Sequence, residues 1–498
     1  MPKHGCPRSE NETVRNALLQ QVAALESEME DTRAQIAQKQ AFLFEQEQQR
    51  RQFYSQLNSL SPIDQLPAEI KTEIFYRALC LLPKRRKNPF FLGKVCRGWR
   101  DFVWSCPVLW TNIHLRVMKQ NRKAQTNFVR DWLSRTAGYP LTFCLASSGS
   151  GDDWDGGRSL KEILTMLASV SMQWKDVEFF LPDSQVCFDA ISTAENALPL
   201  LTSATVHFDS RERPFNLLSV APQLSTLCIS NICLANVLAP WHQLKEFTSH
   251  NIRLHEVREF LEKAPNIIRC TFGDYGSDIQ SEPLDAFGRP LVLERLEYLQ
   301  LQVASEGVGL ALILLSVELP SLREVYLHNH VVSPVVILPS IMISCRSSHL
   351  LEKFTLKGGI TSDMELIGVL KYIPFTKELC LEFGSHGQCL HPPLTEWFLQ
   401  QLYPPHADIL LPNLRSFTYS GPNTLNEHMD LFRDVLVYRF RQCALRPAEV
   451  DSKRATVSQI QSVTLKTQSR LVISPDIQEG LDFLVKEGLE LSLTSTLE

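Results

Sequence analysis

Residues 224–229 read Leu224-Ser225-Thr226-Leu227-Cys228-Ile229: an apolar residue, two variable ones, an apolar residue, one variable residue and one apolar again. Alternation across its second half predicts a short strand with one apolar face. The same frame returns at 174–179, 201–206, 267–272, 296–301, 322–327, 351–356, 414–419 and 460–465, with weaker copies from Leu244 and Thr376. Most copies start 20 to 29 residues apart; from Thr376 to Leu414 and from Leu414 to Ile460 the interval stretches to 38 and 46. Helical patterns at 257–263, 365–372 and 394–402 fall between copies. A unit this small cannot close its own apolar face, so successive units must stack and share a core. The reading is an α/β array over 139–470, with 471–498 as a C-terminal tail or cap.

Frame and spacing together resemble leucine-rich repeats. That resemblance implies a curved solenoid with a strand-lined inner surface; the competing reading is an unrelated α/β domain with similar strand spacing. In each core the variable residues are expected on the strand-lined surface, among them Thr226, Tyr298, Gln300, Arg323, Tyr326 and Lys353. Charges of both signs with exposed tyrosines suit a protein ligand better than nucleic acid. Tyr298 and Tyr326 are the candidate substrate anchors, because central aromatics tend to dominate an interface. The alternative is that both merely cap the repeat core.

Ahead of the array, residues 61–115 carry Leu66-Pro67, Glu69-Ile70, Ile74-Phe75, Val95-Cys96-Arg97, Trp99-Arg100 and Leu109-Trp110. Proline after Leu66 fixes the first turn of a helix, and Ile70, Ile74 and Phe75 give it one apolar face. Phe91, Leu92, Val95, Cys96, Trp99, Phe102 and Val103 predict a second amphipathic helix. A Trp-bearing third segment follows, and so few residues cannot bury all this apolar surface alone. The segment resembles an F-box, the helical module that docks its carrier onto the Skp1 adaptor of cullin-based ubiquitin ligases. The resemblance assigns Leu66, Pro67, Ile70, Ile74, Phe75, Val95, Cys96 and Trp99 to the Skp1-facing patch, with Trp110 partly packing the module itself. The polar loop 83–89 is longer than the usual link, a departure that fungal F-box proteins tolerate. An ordinary helical hairpin inside a larger fold is the other reading. A leucine-rich-repeat-like array after an F-box is a common layout in fungal F-box proteins, which implies that the array holds a substrate.

Residues 12–60 contain no glycine or proline and carry heptads. One seam position is taken by Leu18, Leu25, Thr32, Lys39, Gln46, Phe53 and Leu60, the other by Val22, Met29, Ile36, Leu43, Arg50 and Leu57, so that nine of thirteen are apolar. This predicts a coiled-coil helix with a weak middle, able to pair as a homodimer. A single long helix that packs back on its own body or stays partly frayed is the alternative.

With 498 residues, 44% of them hydrophobic, the chain is long enough for two or three units with a large core. A net charge of −5 gives no field to recruit nucleic acid or membrane. The 13 cysteines form no Cys-x-x-Cys pair, which points to reduced thiols in cytoplasm or nucleus and no metal site. The N-terminus lacks a secretory h-region. The longest apolar run, 308–319, is about half a bilayer span and reads as a buried helix. Lys84-Arg85-Arg86-Lys87 reads as a solvated loop, with nuclear import as the sharper alternative. The acidic glycine loop 149–157 lacks EF-hand spacing, and His328-Asn329-His330 lacks a third ligand. Phosphate-loop, dinucleotide-binding, zinc-protease and nucleophile-elbow motifs are all missing from the sequence, so no catalytic or cofactor residue is assigned. The expectation is a non-enzymatic adaptor of a Skp1–cullin–F-box ligase for ubiquitin-dependent degradation. Its rivals are a scaffold whose F-box-like helices bind another partner, and an enzyme with an unrecognised site in the array.

Overall fold

All eleven copies of the frame become strands, and these lie side by side in chain order. They are the core of a 14-stranded, wholly parallel sheet in which each strand pairs with the next one in sequence. The structure, a computed structural model, describes residues 8–495 apart from 83–87, 119–121, 148–156, 183, 195–197, 209–213, 274–289, 304–307, 330–333, 346–350, 359–361, 385–392, 404–408 and 443–456. The import-like run 84–87, most of the acidic glycine loop and His330 therefore fall outside the described residues. The chain divides into two compact units, Met1–Trp110 and Thr111–Glu498.

In the second unit the register stacks like on like. Leu227 lies opposite Phe247, Phe247 opposite Cys270, and Cys270 opposite Leu299, and the line continues through Val325, Phe354, Leu379 and Phe417 to Val463. Every member of that line is buried, whereas most residues between apolar positions are half-buried or exposed. Connecting segments supply the second layer, from Leu254–Lys263 and Val308–Leu315 through Pro334–Ser344, Asp363–Leu370 and Glu396–Gln401 to Met429–Val437. This is a mixed helix and strand fold whose parallel sheet resembles a leucine-rich-repeat solenoid, with a long helix at the N-terminus.

The sheet extends past 139–470 at both ends. Asn112–Val117 pairs with Leu141–Ser147 in front, and Glu490–Ser495 pairs with Ser462–Thr467 behind. Residues 471–498 thus contribute a helix, Pro475–Lys486, and a final strand, so this stretch caps the array. The intervals of 38 and 46 hide no further strand among the described residues: longer connections fill them, the second with Met429–Val437 and the turn Tyr438–Gln442. The apolar run expected as one buried helix is split, helical over Val308–Leu315 and extended at Val317–Glu318, where it pairs with Leu291–Val292.

Several buried or turn-forming polar groups in this unit are held by specific partners. Asn231 and Asn251 end consecutive strands with φ of 57° and 60°, a left-handed conformation that asparagine tolerates. Their side-chain amides hydrogen-bond each other, and the Asn251 N–H donates to the Gly273 carbonyl at 3.0 Å. The buried Glu256 carboxylate accepts the backbone N–H groups of Leu234 and Arg253, both at 2.8 Å. The fully buried Arg439 guanidinium donates to the carbonyls of Leu402, Leu410 and Leu411 at 3.0, 2.6 and 2.9 Å.

In the first unit, Arg8–Ser59 is one helix of 52 residues, roughly 78 Å long at 1.5 Å per residue. Each of its described side chains is exposed. Among the described residues, no helix is long and apolar enough to cross a membrane.

Candidate functional site

Two surfaces stand out, one on each unit. The first belongs to the helical module between Pro62 and Trp110. A short turn, Pro62–Gln65, leads through Leu66 to the helix Ala68–Leu81, with Pro67 at its N-cap. The expected second helix is broken in two: a tight turn over Pro89–Lys94, then a helix over Arg97–Ser105. Cys96 makes the break, because its extended backbone lets its thiol accept the Trp99 N–H at 3.4 Å and so cap the second piece. Gly93 tightens the bend; a Cβ there would lie 2.3 Å from the Trp104 ring.

This module has a closed core of its own. Phe75 packs against Trp99 at 4.6 Å and Phe102 at 5.6 Å between ring centroids. Phe90, Trp104 and Trp110 form an edge-to-face trio at 5.2 to 5.4 Å. The Trp110 indole N–H donates to the Val103 carbonyl at 2.7 Å, so this side chain packs the module wholly, not in part. Phe75, at 1% exposure, belongs to that core and leaves the expected docking set. Cys96 and Trp99 are half-buried, committed to the cap and the ring cluster. Pro67, Leu66, Ile70, Ile74 and Val95 are exposed, the last four by 36, 50, 40 and 58%. Two apolar residues outside the expected set join them, Leu81 at 87% and Phe91 at 62%. Spacings of four and seven put Ile70, Ile74 and Leu81 on one stripe of their helix. Leu81 continues the Ile70–Ile74 periodicity and was legible in the sequence. Phe91 was not, because the continuous second helix gave it a buried place.

The second surface is the open face of the sheet. Tyr298 and Tyr326 both lie on it, half-buried and on adjacent strands, in the order expected of variable positions. The Arg269 guanidinium covers the Tyr298 ring at 3.9 Å, and the Tyr298 hydroxyl donates to Gln300 Oε1 at 2.6 Å. Gln300 stands opposite Tyr326, whose ring meets the edge of His328 at 6.5 Å. Burial pushes the Tyr326 hydroxyl up to about 12, helped by the nearby Glu382 charge. Tyr298 is raised for the same first reason, against the pull of Arg269. Both are neutral donors at physiological pH.

Charges on this face answer one another. Lys377 pairs with Glu352 at 2.7 Å, holding that carboxyl below its usual range, and Lys353 pairs with Glu378 at 3.4 Å. Beside them runs an uncharged row. From Thr205 through Cys228, Thr248, Thr271, Gln300, Tyr326, Thr355, Cys380 and Thr418 to Thr464, ten successive strands present a hydroxyl, thiol or amide. Arg269 was missed from the sequence, yet it occupies in its copy of the frame the position that Tyr298 holds in the next.

The described residues contain no group of three His, Cys, Asp or Glu side chains placed to hold a metal. Of the two best-formed concavities, the larger lies behind the sheet among Phe272, Leu299, Leu301 and Leu310 and has a cavity volume of about 10 Å³, room for one water at most.

No protein-family model and no curated protein matches the sequence. Among solved structures, the chain is similar to one titled "Crystal structure of TLR13-ssRNA13 complex", with a TM-score of 0.35, 14% identity and 78% of this chain covered. The match covers 53% of that protein, so this chain spans about half of its length.

Proposed function

We propose that the chain is the substrate-recognition adaptor of a Skp1–cullin–F-box ubiquitin ligase, binding Skp1 through the module 61–110 and a protein substrate through the open sheet face. One observation carries the reading. The module's core is closed by Phe75, Val103, Leu109 and Trp110, and yet Leu66, Ile70, Ile74 and Val95, at positions that match the F-box pattern, stay exposed. Exposed aliphatic residues beside a finished core are surplus to folding and suit a docking partner. The adaptor's part in ubiquitin transfer is positioning: it raises the effective concentration of substrate near the charged conjugating enzyme, and other subunits do the chemistry.

Capture of the full chain from cells, with mass spectrometry of what comes down, tests this directly. The adaptor returns Skp1 and cullin, and returns neither once Leu66 and Ile74 are both replaced by aspartate. Capture of other proteins without Skp1 favours the scaffold reading.

A further inference from the structure

We propose that the helix Arg8–Ser59 joins two copies of this chain as a parallel, in-register, two-stranded coiled coil. The helix has an apolar stripe, and each of its described side chains is exposed. Leu18, Val22, Leu25, Met29, Ile36, Leu43, Phe53 and Leu57 are each 49% exposed or more. With Thr32, Lys39, Gln46 and Arg50 in the gaps, the spacing alternates four and three, which places Val22, Met29, Ile36, Leu43 and Leu57 at the first seam position of their heptads and Leu18, Leu25 and Phe53 at the second. Val22 and Ile36 at the first position, with Leu18 and Leu25 at the second, are the arrangement that favours two parallel strands.

Charge beside the seam selects the same orientation. In parallel register Glu28 of each copy faces Arg33 of the other, an attraction made twice. Antiparallel pairing over the same seam sets Glu26 against Glu47 twice and gives Arg33 only Gln40. The polar seam residues Thr32, Lys39, Gln46 and Arg50 then meet their own copies, which weakens the middle and fixes the register. Lys39 and Arg50 reach out to water along their apolar stems. Because the helix runs directly into Pro62, two docking modules start from the same end of the rod, and a partner that is itself paired gains avidity.

Sedimentation of the full chain in low salt tests the pairing, and a charge swap tests its direction. The parent sediments as a dimer. Glu28→Arg and Arg33→Glu each weaken the dimer by roughly tenfold, and the two together restore it, since the attraction is rebuilt with its signs exchanged. Both residues are exposed and belong to the first unit, and far-UV circular dichroism checks that the helix persists. A parent that stays monomeric at tens of micromolar overturns the proposal. A double variant no tighter than either single one overturns the parallel register. Skp1 takes no part in this assay, so its outcome is separate from that of the adaptor reading.

Discussion

Ile74 and Phe75 are neighbours in sequence, one proposed to dock and the other buried in the core, and replacing each by alanine separates the two roles. Phe75 is 1% exposed between Trp99 and Phe102, so truncation removes a ring from a finished core at about 3–5 kcal/mol. A module of about fifty residues holds little stability in reserve, and Phe75→Ala leaves it largely unfolded. Ile74 is 40% exposed, so its alanine variant loses only part of a buried side chain and folds normally. Taken together, the exposures of Leu66, Ile70, Ile74, Leu81, Phe91 and Val95 equal a little over three fully exposed apolar side chains. Burying them is worth about 5–10 kcal/mol, enough to offset the lower range of association costs. Ile74 supplies about 1 kcal/mol of it, or two if it sits at the centre of the interface. Hydrogen exchange read by mass spectrometry on the full chain, with titration of recombinant Skp1, measures both effects. Phe75→Ala should lose protection over Ala68–Leu81 by about a hundredfold or more, while Ile74→Ala keeps protection and binds Skp1 about five- to thirtyfold more weakly. Full protection in Phe75→Ala, or unchanged Skp1 affinity in Ile74→Ala, would refute this division of roles.

Once a substrate is in hand, alanine at Tyr298 and Tyr326 should weaken its capture and leave Skp1 binding and the melting temperature intact; a large fall in melting temperature would return both rings to a structural role. Arg439→Met strands three buried carbonyls and should cost the array about 3 kcal/mol or more, seen by calorimetry as a lower melting temperature with the 61–110 exchange pattern unchanged. Burial raises the thiols of Cys187 and Cys380 to about 11 and of Cys345 to about 12, from 9.0. Folded values above unfolded ones give stability that is complete below pH 9 and is lost as pH rises through 11 to 12. The urea midpoint should therefore fall over that window, less steeply in Cys345→Ala, and below pH 9 an alkylating reagent should mark exposed Cys80 long before Cys345.

Strand order was legible in the sequence because alternation with period two leaves no freedom: a slip of one residue would turn Leu227 and Ile229 outward. The last strand escaped notice for a specific reason. Its register puts Gly488, at φ of 109°, where other copies carry their leading apolar residue, so the frame lacks its first mark. The helical module was harder to read, since 3.6-residue periodicity over 91–103 survives a break at Cys96 as well as a continuous helix would. What decides is tertiary, namely the thiol cap and the close fit of Gly93 on Trp104. Likewise Ile74 and Phe75 stand only about 100° apart around their helix, and the rings of Trp99 and Phe102 determine which one turns inward.

The open face follows from a register that no single copy of the frame reveals. Several strands offer a charge beside a neutral position, as Glu324 beside Tyr326, Lys353 beside Thr355 and Glu378 beside Cys380. Aligned in parallel, the charged positions become neighbours of opposite sign and spend their attraction on one another, as Lys353 does with Glu378. The neutral positions carry no charge to pair across the strands and line up from Thr205 to Thr464. Burial keeps Tyr326, Cys228 and Cys380 protonated, so the row stays neutral across the physiological range. On the adaptor reading, a protein segment laid along it meets hydroxyl, thiol and amide groups, the Tyr326 hydroxyl among them, and gains little from net charge. Selectivity then rests on hydrogen bonds that a wrong partner leaves unmade, which discriminate more sharply than paired surface charges do.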